Sequence, residues 1–181
     1  MQIPAMAASG VDALRGMQSR YADHDHRPLS GYTTLLLAYT GGAAALIAAT
    51  RGRDAAARIS NRDLALITVA THRLARTLTK DAITSPLRAP FTRYAGPGGP
   101  SEVHEEIADW AHERPLAHAV GEMLTCPFCL AQWIATVLTT AHVLAPTTAR
   151  LSTTVLTAVA GADALQYLYA ALQSLEGKVD D

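Results

Sequence analysis

The sequence predicts an all-α integral membrane protein with three or four membrane helices, and three observations predict it. Three long stretches are almost free of charge: none lies between Arg27 and Arg51, none between Met123 and Ala149, and only Asp163 between Leu151 and Leu175. Charged residues make up 17% of the chain, against roughly 25% in an ordinary soluble domain. The proline and glycine that break helices gather at 84–102 (TSPLRAPFTRYAGPGGPSE), leaving the apolar stretches whole.

A chain of 181 residues is one domain's worth of material. It divides into a polar N-terminal segment (1–28), a membrane helical domain (29–175) with a polar loop and surface helix inside 84–122, and a short C-terminal tail (176–181). The formal net charge of −1 supplies no basic field for nucleic acid. Met1 to Arg27 lacks the basic region, apolar core and cleavage site of a secretory signal and carries Asp12, Asp23 and Asp25, so it is expected to stay in the mature protein.

Leu29 to Thr50 is long enough as a helix to cross roughly 30 Å of hydrocarbon. Its Gly41-Gly42 pair and alanine run suit close approach of a neighbouring helix in lipid. Residues 63–83 follow a basic connector (Arg51, Arg53, Arg58, Arg62). Asp63 is placed to complement a helix N-terminus, but only Leu64 to His72 is uncharged. With Arg73 and Arg76 one turn apart on one face, this reads as a half-inserted or tilted helix whose arginines snorkel or turn inward to partners. After the GPGGP loop, Ser101 precedes Val103-His104-Glu105, which reads as the start of a polar surface helix running to about Glu113. Met123 to Ala149 is the strongest span, ended by Pro146. A turn around Arg150 then leads to Leu151–Leu175, a fourth span antiparallel to the third.

Cytoplasmic loops collect Lys and Arg. Whether or not 63–83 crosses, that rule places loop 80–122 and the CPFC end of the third span in the cytoplasm. If 63–83 does cross, both termini lie inside as well.

Cys126 and Cys129, the only cysteines, are separated by two residues at a helix entry. That arrangement serves a redox dithiol, because a helix N-terminus favours thiolate, and it equally lets two thiolates grip one zinc ion. Cytoplasmic thiols stay reduced, which weighs against disulfide exchange. A zinc site needs further ligands, from His112 and His118 or from a second protomer's cysteines. Two small polarizable residues that let helices pack is the simplest alternative. Asp163 sits mid-span, where an ionisable group needs a partner or a task, and Arg73 and Arg76 are natural partners. Glu122, read at the mouth of the third helix, complements its N-terminus and is within range of Arg88 or Arg73. Trp133, Tyr167 and Tyr169 read as packing or interface anchors. No Ser-His-Asp set, phosphate-cradling loop or paired-carboxylate site is present, so hydrolase and kinase chemistry have no support.

Three blocks in order, ATHRLARTLTKDAITSPLR (70–88), GEMLTCPFCLAQW (121–133) and AGADALQ (160–166), resemble the bacterial DUF1360 family of small membrane proteins. The resemblance covers roughly 62–172. It departs at Ala131, where glycine is expected, and across the GPGGP to His118 insert. It implies an integral membrane helical fold and no particular activity. It makes Arg73, Asp81, Pro86, Arg88, Glu122, Cys126, Cys129 and Trp133 the residues for whatever the family shares.

Taken together, the residues lead to a non-enzymatic membrane subunit embedded in the lipid bilayer, assembling with copies of itself or with a membrane protein partner. A thiol-dependent redox protein using the CPFC pair comes second, and a metal-binding or ion-translocating protein third.

Overall fold

The computed structural model describes residues 27–54 and 58–176, together with a few positions between 10 and 21. Most of the expected N-terminal segment and residues 177–181 of the tail lie outside the described residues. The elements are α1 (Leu29–Ala49), α2 (Asn61–Lys80), a 3-10 turn (Ala82–Thr84), α3 (Ser85–Arg88), β1 (Thr92–Pro97), β2 (Val103–Ile107), α4 (Asp109–His112), α5 (Pro115–Thr125), α6 (Pro127–Leu144) and α7 (Pro146–Glu176). Among the described residues the fold is helical apart from one β-hairpin, and three helices, α1, α6 and α7 as far as Leu175, are long and apolar enough to cross a membrane. Across the 18-residue apolar windows of α1 and α7 no residue is buried by the chain itself. The described chain forms two compact units, one of residues 1–42 and 79–126, the other of 43–78 and 127–181.

In the first unit, β1 and β2 pair antiparallel from Thr92 opposite Ile107 to Pro97 opposite Val103, with an irregularity between Tyr94 and Gly96. Positive φ occurs at Gly96, at the strand irregularity, and at Ser101 in the turn. The expected surface helix over 101–113 is therefore wrong: β2 occupies 103–107 and only the single turn α4 is helical. The physical reason is an obscured alternation. Val103, Glu105 and Ile107 are the half-buried positions of β2, and a carboxylate at the middle inward site hid the period-2 signal that marks a strand. Ser101 is likewise not a helix cap, since its backbone lies in the left-handed region of the hairpin turn.

In the same unit two helices approach closely. A Cβ on Gly31 of α1 would stand 2.0 Å from the Pro115 carbonyl oxygen and 2.9 Å from Ala119 Cβ on α5. Sequence placed this role on Gly41-Gly42, but a Cβ at either would meet nothing within 4 Å. Gly121 on α5 similarly accommodates the Ile107 side chain of β2, 2.8 Å from an added Cβ.

In the second unit α2 begins with a reciprocal cap. The Ser60 backbone N–H donates to Asp63 Oδ2 at 3.0 Å, and the Asp63 N–H donates to Ser60 Oγ at 3.1 Å, satisfying donors the first helical turn leaves open. α2 ends at Lys80, short of the expected 83. Its buried stripe carries Asp63, Ile67, Ala70 and Ala75, while α6 buries Leu130, Ile134, Leu138 and His142 at helical spacing. α6 and α7 are joined by Ala145 alone, and His142 Nε2 stands 3.5 Å from Thr153 Oγ1 across the bend.

Both span boundaries differ from expectation through proline. The third span starts at Pro127 rather than Met123, because Cys126 has extended backbone (φ −109, ψ 107), as the residue before a proline prefers. Pro146 opens α7 rather than ending α6, since proline's missing N–H costs nothing at a first helical position.

Candidate functional site

The most developed polar site lies in the first unit, where the turn after α2 meets the hairpin. Arg88, on α3, is 0% exposed. Its Nε donates to Glu105 Oε2 at 2.6 Å and its Nη2 to Glu105 Oε1 at 3.0 Å, a bidentate fork. Nη1 donates to Thr84 Oγ1 at 2.7 Å, and Nη2 also lies 3.1 Å from both Ser85 Oγ and the Asp81 carbonyl. Glu105 also accepts from Ser85 Oγ at 2.8 Å and Thr92 Oγ1 at 3.1 Å. Burial pushes the Glu105 carboxyl up, but the bonds from Arg88, Ser85 and Thr92 outweigh it and hold the carboxyl below its usual value. Asp81 is itself buried and bridges to Glu102 through its backbone. The cluster fastens the Thr-Ser-Pro-Leu-Arg turn to β2.

A second cluster in this unit centres on Glu122. The Tyr32 hydroxyl of α1 donates to Glu122 Oε2, Arg27 Nη1 to Oε1 at 3.2 Å, and His118 Nε2 lies 3.5 Å from Oε1. The buried His118 ring also meets His112 edge-on, with centroids 4.6 Å apart. Glu122 therefore does not sit at the third span's N-terminus, and its carboxylate meets Tyr32, Arg27 and His118 rather than Arg88. It lies in the last turn of α5, since the helix break falls four residues later, at Cys126.

In the second unit three contacts join α2 to α7. Asp63 Oδ1 and Oδ2 accept from Arg150 Nε and Nη2 at 2.8 and 3.0 Å, Thr157 Oγ1 donates to the Leu66 carbonyl at 3.3 Å, and Arg73 Nε lies 3.2 Å from Asp163 Oδ2. Both residue numbers rise together through these pairs, so α2 runs parallel to α7.

Cys126 is half-buried in the extended link between α5 and α6, and Cys129 is exposed in the first turn of α6, with no disulfide formed. His112 and His118 are engaged with each other, and His118 with Glu122. Among the described residues no three His, Cys, Asp or Glu side chains stand close enough to hold a metal ion. The expected zinc quartet of Cys126, Cys129, His112 and His118 is therefore not assembled within one chain. Trp133 is half-buried on α6, and Pro86 lies at the start of α3.

Sequence reasoning missed Glu105, Tyr32, Arg27, Arg150 and the capping role of Ser60. One signal was present, the Ser60-x-x-Asp63 spacing of a helix start.

These features define a class, a helical protein with membrane-length apolar helices and a small polar module built on a buried ion pair. Residues 66–169 match the family model described as protein of unknown function (DUF1360), and the chain belongs to that family. No curated protein and no solved structure matches it. The matched region holds Arg73, Asp81, Arg88, Glu105, Glu122, both cysteines and Asp163, whereas Gly31, Tyr32 and Asp63 precede it.

Proposed function

We propose that the protein is a multi-pass membrane subunit with a structural or interaction role and no catalytic one, in which α2 crosses the membrane as a fourth helix. The observation that carries this reading is the parallel register of α2 on α7, from Asp63 with Arg150 to Arg73 with Asp163. Ten residues of helix separate Asp63 from Arg73, about 15 Å along the axis, so α2 accompanies the spanning helix α7 over half a bilayer core. Its polarity is inverted as a membrane helix requires. Between Leu64 and His72 the exposed positions are Leu64, Ala65, Thr68, Val69 and His72, none carrying a fixed charge, while Asp63 is buried and Arg73 faces Asp163.

With four crossings, the polar module between α2 and α6 and both termini share one side. Lys80, Arg88, Arg93 and Arg114 of the module, with Arg15, Arg20 and Arg27, make that side cytoplasmic, and the Arg51 to Arg62 connector lies outside. An interaction role is supported by the use of the buried charges, which fasten elements to one another instead of converging on an open reactive group. Such a subunit binds copies of itself or another membrane protein through the outward apolar and small-residue faces of its helices. Native mass spectrometry of the detergent-purified protein tests this. Cys126→Ser with Cys129→Ser is expected to leave the assembled state intact, and its loss in a metal-free preparation contradicts the reading.

One observation favours a second reading, a thiol-dependent redox protein: Cys126 stands in extended backbone directly before a helix whose first turn exposes Cys129. In it the Cys126 thiolate attacks a partner's disulfide, expelling one partner thiolate, and Cys129 then displaces the second to leave an intramolecular disulfide. Cys129→Ser protein that traps no mixed disulfide rules this out. Zinc and free-thiol content of the same preparation separates both readings from a site pooled between two protomers.

A further inference from the structure

Within the first unit, α5 is fastened to the first turn of α1. The Pro115 carbonyl oxygen and Ala119 Cβ press on Gly31, 2.0 and 2.9 Å from where a Cβ would stand, and the Glu122 carboxylate accepts from Tyr32 and Arg27. α1 has 21 residues, about 32 Å of helix at a rise of about 1.5 Å per residue, which only just matches a hydrocarbon core of about 30 Å. A crossing helix of that length has its two ends at the two membrane surfaces. Gly31, its third residue, then lies at headgroup level, and Pro115 is held at the same level.

The side chains around Pro115 suit that level. Arg114 and Leu116, each one Cα step of about 3.8 Å away, are both exposed, Leu116 by 48%. The Arg114 guanidinium lies 5.3 Å from the centre of the Trp110 ring, within reach of a cation–π contact. Trp110 is 44% exposed, with Phe91 beside it at 6.4 Å between ring centroids. Among the described residues the Arg114 guanidinium makes no hydrogen bond or ion pair, which leaves its N–H donors open for a ligand. Asp109 and Glu113 lie within five residues of Arg114, so no cationic patch forms, and what the corner offers is short-range contact with one phosphate rather than attraction to an anionic surface.

We infer that Trp110, Arg114 and Leu116 form a membrane-surface anchor for the polar module: the Trp110 ring and Leu116 enter the boundary between headgroups and acyl chains, and the Arg114 guanidinium, steadied on the indole, donates to a phospholipid phosphate. The occupant is lipid of the bilayer that α1 enters. Continuity with α1 decides for lipid over a protein partner, because Arg114 and Leu116 flank the very residue that packs on a helix long and apolar enough to cross a membrane. An amphipathic ring and a planar donor fork are what such a boundary favours. The inference rests on the reading of α1 as a membrane helix.

Depth-resolved fluorescence quenching of the full chain tests it. Trp133, the other tryptophan, is replaced in a Trp133→Phe variant, which is reconstituted into phosphatidylcholine vesicles brominated either near the headgroup end of the acyl chains or deep within them. Shallow bromine is expected to quench Trp110 several-fold more than deep bromine, and aqueous iodide to quench it only weakly. Quenching led by iodide or by deep bromine overturns the inference, and so does protection from all three, which would mean that protein covers the ring. Adding Arg114→Gln is expected to roughly halve the shallow quenching, and unchanged quenching overturns the phosphate contact. Leu37, 68% exposed on α1, supplies the separate reporter, as Leu37→Trp with both native tryptophans replaced by phenylalanine. Deep quenching at 37 without shallow quenching at 110 removes only the anchor, whereas iodide quenching at 37 removes the membrane reading of α1.

Discussion

Replacing Glu105 with leucine removes the carboxylate that binds two nitrogens of a guanidinium with no solvent exposure. Two magnitudes compete for the outcome. If the pair behaved like a surface salt bridge, its loss would cost at most about 1 kcal/mol. Breaking a buried pair strands an uncompensated charge and costs about 3–5 kcal/mol, a roughly hundred- to several-thousand-fold change in the folding equilibrium. The hairpin carries its own control, because Arg93 and Glu106 form a pair of similar length, 2.7 Å, with both side chains about half exposed. Reversible unfolding in mixed micelles should therefore separate Glu105→Leu, at several kcal/mol, from Glu106→Leu, at under about 1 kcal/mol. Arg88→Met combined with Glu105→Leu should recover most of the loss, because two apolar groups of similar volume replace the pair. Equal small effects for Glu105→Leu and Glu106→Leu, or no recovery in the double variant, would refute the argument that burial sets the pair's worth. The pH dependence has a fixed sign. The Glu105 carboxyl is held below its ordinary value, so its contribution is complete above the unfolded value of about 4.3 and is lost as pH falls through the lower folded value.

Three further outcomes follow from the packing. Gly31→Ala places a Cβ against the Pro115 carbonyl and should cost about 1–3 kcal/mol by overpacking, whereas Gly41→Ala, with open space around it, should be neutral or stabilising by up to about 1 kcal/mol; thermal unfolding in detergent compares them. Asp63→Asn weakens the Arg150 fork and the Ser60 cap together, so its cost should exceed that of Ser60→Ala in the same unfolding experiment, and equal costs would contradict the fork's share. Asp163→Arg should disrupt the folded protein by setting two cations together, and adding Arg73→Asp should restore much of it by re-forming the 3.2 Å contact, as read by the yield of monodisperse protein.

The membrane character of the fold was legible because lipid imposes long uncharged stretches, and α1, α6 and α7 carry them openly. Helix boundaries were less so. Pro127 and Pro146 each begin a helix where a length-based reading lets the preceding residues run on or stop. The polar module was the least legible part. Strand β2 is decided by Glu105 facing inward to Arg88, 17 residues away in sequence, and no local periodicity announces a charged core position whose partner is that far off. The same holds for Gly31: its neighbour Pro115 is remote in sequence, whereas Gly41-Gly42 has the more conspicuous pattern and, within the chain, no such neighbour. Arg73 and Asp163 were each conspicuous in apolar surroundings, which is why the sequence already suggested them as partners.

The central claim is that α2 crosses the membrane in parallel with α7, and labelling on the two sides of sealed vesicles of known orientation tests it most directly. Arg53→Cys in the connector before α2 and Pro100→Cys in the hairpin turn beyond it, each without the native cysteines, are exposed to a membrane-impermeant maleimide. Reaction of the two positions from opposite faces, with residue 100 on the cytoplasmic one, is the predicted result; reaction of both from the same face would contradict the account.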